Sequence, residues 1–137
     1  MIEYSMQGAN MNPNNLSVET IDDKQFHEQG SHLLHSIELA LEAADDDLDL
    51  DLDVERQGGN VINIRFRDKS VIVVNTQPPL QEIWVAAKEG GFHYRWAGTL
   101  EKPLWLDTKT GAELFDEISR LASLQAKTPL KVVFASH

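Results

Sequence analysis

The stretch DDDLDLDLDVERQGGNVINIRFR, Asp45 to Arg67, decides the fold. From Leu48 to Glu55 apolar and acidic residues alternate without a break, and side chains on a strand point to opposite faces with period two. The pattern predicts a strand over Leu48–Glu55. Leu48, Leu50, Leu52 and Val54 would face a core, with Asp49, Asp51, Asp53 and Glu55 in a row on the other side. Gln57-Gly58-Gly59-Asn60 then reads as a hairpin turn into a second strand, Val61–Arg67. A hairpin with one apolar face needs a second layer to cover it.

Upstream, that layer is a helix. Thr20, Asp22 and Asp23 supply an N-cap and first-turn negative charge, so the helix starts near Thr20 or Asp22. Phe26, Gly30, Leu33, Leu34, Ile37, Leu41 and Ala44 recur at helical spacing as its apolar stripe. His27, Ser31, His35, Glu38, Glu42 and Asp45 fall on the neighbouring stripe, which leads into the acidic run. Residues 1–20 are polar and Asn-rich without periodicity and read as a flexible tail, which leaves 21–137 as the domain.

Downstream, short strands continue over Ser70–Asn75, Gln81–Ala87, Phe92–Trp96 and Leu104–Asp107, punctuated by Pro78-Pro79 and Gly90-Gly91. Thr110 and Glu113 match a capping box opening a second helix, with Leu114, Phe115, Ile118, Leu121 and Ala122 as its apolar face. Thr128-Pro129 ends it, and Leu130–Ala135 adds an extended segment. The order predicts an α+β two-layer sandwich: an antiparallel sheet of five to six strands with N- and C-terminal helices on one face.

Composition narrows the chemistry. A net charge of −10 argues against nucleic-acid binding through a basic patch and favours a basic protein or a multivalent cation as partner. With no cysteine, thiolate metal sites, disulfides and cysteine nucleophiles are excluded. No apolar run approaches the ~18 residues of a membrane span, and the N-terminus lacks the pattern of a signal peptide. The expected location is the cytoplasm. No Ser–His–Asp set, phosphate loop or dinucleotide fingerprint is present, so the chain is expected not to be an enzyme.

The carboxylates suit a hard cation. Same-face residues on a strand stand roughly 6.6 Å apart, however, while metal–oxygen bonds are about 2.0–2.6 Å. Such a row can share ions but cannot enclose one, so the expected site is open, wet and weak. An EF-hand is a poor fit, because Leu50, Leu52 or Val54 stands where its glycine belongs. Taken alone, the row also reads as a solvated face, or as a set partly neutralised across the hairpin, Asp53 by Arg65 and Asp51 by Arg67. That pairing would leave Glu42, Asp45, Asp46, Asp47 and Asp49 as the open cluster. Asp23 and His27, at i and i+4, form a second candidate metal pair. If Ile83 and Val85 face the core, Trp84 points to the open face of the sheet beside Arg65, His93 and Arg95, a composition suited to protein binding; the mirrored alternation would bury it. Trp96 and Trp105 read as core, and His93 as a surface residue of the sheet.

Several segments together resemble the frataxin family, its bacterial members above all. They are Phe26-His27, the acids from Glu38 to Glu55, Gly58-Gly59, Val73-Val74-Asn75-Thr76-Gln77-Pro78, Gln81-Glu82-Ile83-Trp84-Val85-Ala86 and Lys88-Glu89-Gly90-Gly91-Phe92-His93-Tyr94. The resemblance spans about Asp22 to Phe134. The acidic linker is longer than in bacterial members, and Glu101-Lys102-Pro103 stands as an insertion. The resemblance implies weak binding of Fe²⁺ or Fe³⁺ by Asp23, His27, Glu38, Glu42, Asp45, Asp46, Asp47 and Asp49. It implies a role in iron–sulfur cluster assembly with a cysteine desulfurase and a scaffold protein as partners. Glu42, Asp45, Asp46 and Asp49 would meet a basic patch, and Asn75, Gln77 and Trp84 the scaffold complex. Weak ferroxidase side chemistry, and a monomer that iron drives into oligomers, belong to the same implication.

Overall fold

The computed structural model describes residues 19–135; most of the stretch read as a tail lies outside them. Helix α1 runs Asp23–Leu48, and β1 Asp53–Gln57, β2 Val61–Arg65 and β3 Val71–Gln77 follow. A single 3₁₀ turn, Pro78–Leu80, leads to β4 Glu82–Ala87, β5 Gly90–Trp96 and β6 Trp105–Asp107, and α2 Leu114–Ala126 closes the order. The six strands form one antiparallel meander in sequence order. The expected α+β sandwich is present, at the upper end of the expected strand number.

Each helix supplies its stripe as expected. Phe26, Leu33, Leu34, Ile37 and Leu41 from α1 and Leu114, Ile118, Leu121 and Ala122 from α2 join one core. From the sheet that core takes Ile62, Ile64, Ile72, Val74, Ile83, Val85, Tyr94 and Trp105, so both helices cover the same face. Gly30 is the point of closest approach. A Cβ there would lie 2.9 Å from Thr76 Cγ2 of β3, so only hydrogen lets the helix cross at this depth. Asp22 caps α1 in a full capping box with Gln25.

Two expectations are corrected. Leu48–Leu52 is not strand: α1 continues through Asp45–Asp47 to Leu48, whose side chain is 48% exposed. Asp49 and Asp51 then take left-handed backbone, φ 54° and 59°, which a short polar side chain tolerates better than most. The two corners turn the chain back so that Leu50, not Leu48, is buried, and β1 starts only at Asp53. Thr110 does not cap α2. Glu113 does, its carboxylate accepting from the Phe115 and Asp116 N–H groups. The start is held there because Asp107 N donates to Ala112 O and Glu113 bridges to Leu106. The segment Leu130–Ala135, after α2, stays outside the sheet. It packs across both helices, Val132 and Leu130 bonded to Ser119 and Ser123, and Ala135 to Ser36.

Candidate functional site

The acids of α1 divide into two ends. His27 and Glu42 are fifteen residues apart on one helix, roughly 22 Å at ~1.5 Å per residue. The eight candidate ligands therefore cannot serve one ion. At the first end, Asp23 Oδ1 accepts from Gln81 Nε2 at 3.0 Å, and His27 opens on a shallow groove with Glu28, Ser31, His32 and His35.

At the other end the last turn of α1 holds acids and no base. The carbonyls of a helix C-terminus already carry partial negative charge, so carboxylates there oppose the helix dipole. Asp45 is turned inward and accepts from Leu52 N at 3.1 Å, closing the turn after the helix. Glu42, Asp46, Asp47 and Asp49 remain exposed. Arg67 ties the loop down, Nη2 donating to Asp49 O at 2.8 Å and Nε standing 3.9 Å from Asp51 Oδ2. That ion pair is the one expected across the hairpin. Asp53 stands opposite Arg65 in the ladder, also as expected. Both sides of the Arg67 pair are solvated, so it adds little to stability.

Glu38 does not belong to the open set. Its Oε1 lies 3.6 Å from Arg56 Nη1 and 3.8 Å from His35 Nδ1, with the Glu38 and Arg56 side chains three-quarters buried. Arg56 stands on the helix-facing side of edge strand β1 with Val54, opposite Ile62. Sequence reasoning missed it, though the signal was there. If Glu55 faces outward, its neighbour must face α1. Among the described residues no three carboxylate or imidazole groups converge on one point, so the ridge offers single or shared contacts to a cation rather than a cage.

The second surface lies on the open face of the sheet. Ile83 and Val85 are buried and Trp84 points away from the core, half-exposed. It sits between Asn75 of β3 and His93 of β5, its ring stacked on the His93 imidazole at 4.3 Å and 5°. Gln77 Nε2 donates to Asn75 Oδ1 at 3.3 Å. Arg65 shares the face but stands two strands away, beside Val71. Glu82, which sequence reasoning left aside, is 6% exposed and accepts from Trp84 Nε1 and Arg95 Nε, each at 2.9 Å. The indole donor above all, then Arg95, holds its carboxyl below the usual carboxylate range against the opposing effect of burial. Trp105 is core, and Trp96 is half-buried against it, edge-on at 5.2 Å.

Fold and surfaces together define a small α+β domain with an acidic helix end and an aromatic patch on its uncovered sheet face. The family model described as a frataxin-like domain matches residues 19–128, and the chain belongs to the frataxin family. Among its relatives is a protein of Variovorax paradoxus named iron-sulfur cluster assembly protein CyaY, 44% identical over 113 residues, 82% of this chain and 98% of the relative. A protein of the same name from Paraburkholderia xenovorans is 46% identical over 110 residues, 80% and 96% of the two chains. The solved frataxin of Psychromonas ingrahamii superposes with a TM-score of 0.68 at 27% identity, covering 85% of this chain and all of the other. Yeast frataxin shares the fold, with a TM-score of 0.59 at 22% identity over 92% of this chain and 98% of its own.

Proposed function

We propose that the protein serves iron–sulfur cluster assembly by binding, not by turnover. Glu42, Asp46, Asp47 and Asp49 weakly hold iron as cargo, and the same carboxylates meet a basic surface of a cysteine desulfurase. Trp84, Asn75 and Gln77 contact the desulfurase–scaffold complex. What carries the reading is the last turn of α1, where carboxylates gather against the helix dipole with no base among them. Asp45 apart, the fold gains nothing from that arrangement, whereas a cation or a basic partner does. The names of the relatives support the assembly role, and the chemistry of the ridge supports iron and desulfurase as competitors for it. Among the described residues no helix is long and apolar enough to cross a membrane.

Replacing Glu42, Asp46, Asp47 and Asp49 by their amides tests the reading. Desulfurase affinity should fall, and in the parent protein Fe²⁺ should weaken desulfurase binding by occupying the ridge. Binding that is lost in the amide variant yet indifferent to Fe²⁺ would mark an iron-independent regulatory module instead. Growth of particles on iron addition, followed by light scattering, would favour a storing assembly.

A further inference from the structure

The sheet face that carries Trp84 holds a group its packing does not require. Glu82 projects from β4 on the side away from the helices, opposite Gln77 on one neighbour and Arg95 on the other. A carboxylate there is free to stand in water, yet only 6% of Glu82 is exposed. Its two oxygens are divided between two donors, Oε1 taking Trp84 Nε1 and Oε2 taking Arg95 Nε, both at 2.9 Å. His93 closes the arrangement, its ring flat against Trp84 and its Nδ1 3.7 Å from Glu82 Oε1.

We propose that Glu82 is a positioning residue for the partner surface, holding the Trp84 ring and the Arg95 guanidinium as one pre-formed contact pair. The proposal rests on the reading that this face meets the desulfurase–scaffold complex. A buried carboxylate is tolerated only when its lone pairs are satisfied, and here both partners are side chains the core does not use. Their long, flexible rotamers are thus ordered on folding rather than on binding, which removes that ordering cost from the association step. The geometry also states what the partner must offer. The indole N–H is consumed by Glu82 and one ring face is covered by His93. What the part-exposed Trp84 ring still offers is apolar surface rather than a hydrogen-bond donor, suited to an apolar side chain. Arg95 spends Nε on Glu82 while its side chain stays 67% exposed, leaving its terminal N–H groups for a carboxylate or a carbonyl.

Two readouts test this. In the free protein, Trp84 should show a slowly exchanging indole N–H and ring-to-ring nuclear Overhauser contacts with His93. Glu82→Ala should lose both, while core amide signals keep their places. Glu82→Gln retains an acceptor for the indole and should keep ring order, losing only the Arg95 arm. Arg95→Gln, changed at an exposed position, breaks that arm without touching the core and serves should Glu82→Ala not fold. In binding to the desulfurase–scaffold complex, Glu82→Ala should weaken affinity roughly tenfold, as expected for two side chains released from fixed rotamers. Glu82→Gln should recover part of it. Unchanged ring order in Glu82→Ala would overturn the positioning role. So would binding that Trp84→Ala impairs and Glu82→Ala does not. If Trp84→Ala leaves binding intact, the partner reading of this face falls, and ring order alone then decides whether Glu82 positions Trp84.

Discussion

Removing charge from the end of α1 should make the protein more stable. Asp46 and Asp47 lie exposed in a last helical turn that contains no base. Each carboxylate opposes the helix dipole at a cost of about 0.3–1 kcal/mol at low ionic strength. Asp and Asn have similar helix propensity, so Asp46→Asn with Asp47→Asn isolates the charge. The pair should add ~0.6–2 kcal/mol. With an unfolding entropy of ~0.25 kcal/mol/K for a domain of this size, the midpoint should rise by roughly 2–8 °C. Asp45 supplies the opposite sign in the same turn. Its carboxylate accepts from Leu52 N, so Asp45→Ala should cost about 1 kcal/mol. Differential scanning calorimetry at low salt and again near ~1 M, where the Debye length is about 3 Å, is the assay. The gain from the Asn pair should shrink with salt and the Asp45 loss should persist. An Asn pair that is neutral or destabilising at low salt, or whose gain survives high salt, would refute the view that the ridge is maintained against the fold.

Arg56→Gln should cost about 1 kcal/mol in urea unfolding by breaking a partly buried pair, and it should release Glu38 to the ridge, seen as tighter Mn²⁺ binding by paramagnetic relaxation. Gly30→Ala should destabilise by about 1 kcal/mol, since overpacking against the stiff Thr76 side chain outweighs the helix propensity gained. In a Thr76→Ser background, which removes the opposing methyl, the same change should become stabilising, and a double-mutant cycle reads the reversal. Asp68 is held at about 2, first by the Ser70 hydroxyl and then by the Ser70 N–H. Because its folded pKa is depressed from 3.8, the stability it contributes is present above about 4 and lost as pH falls through about 2. Asp68→Asn keeps an acceptor for Ser70, so its stability should fall less steeply over that window in acid titrations followed by circular dichroism.

Periodicity made most of the fold legible. The α1 stripe from Phe26 to Leu41 faces the core as read, and Ile83 and Val85 take the core-facing one of the two alternations left open. It failed where alternation had another cause. Leu48 to Leu52 alternates because left-handed aspartates at 49 and 51 separate a helix end from a buried leucine, and period two in sequence does not distinguish that from a strand. The ridge was readable as composition, but its division was not. Glu38 leaves the ridge because Arg56, eighteen positions away, arrives beside it through the hairpin. Glu82 was less visible still. Alternation places it on the open face with Trp84, where a glutamate reads as solvated. Its burial arises only when the indole and Arg95 of the adjacent strand close over it.

An anaerobic Fe²⁺ titration followed by amide NMR decides whether the end of α1 holds iron. Fast-exchange shifts and line broadening should be confined to Glu42–Asp53, with Asp23 and His27 little affected. The same signals should lose their iron response when the desulfurase is present. Iron-induced changes centred on Asp23 and His27, or an undiminished ridge response in the complex, would contradict it.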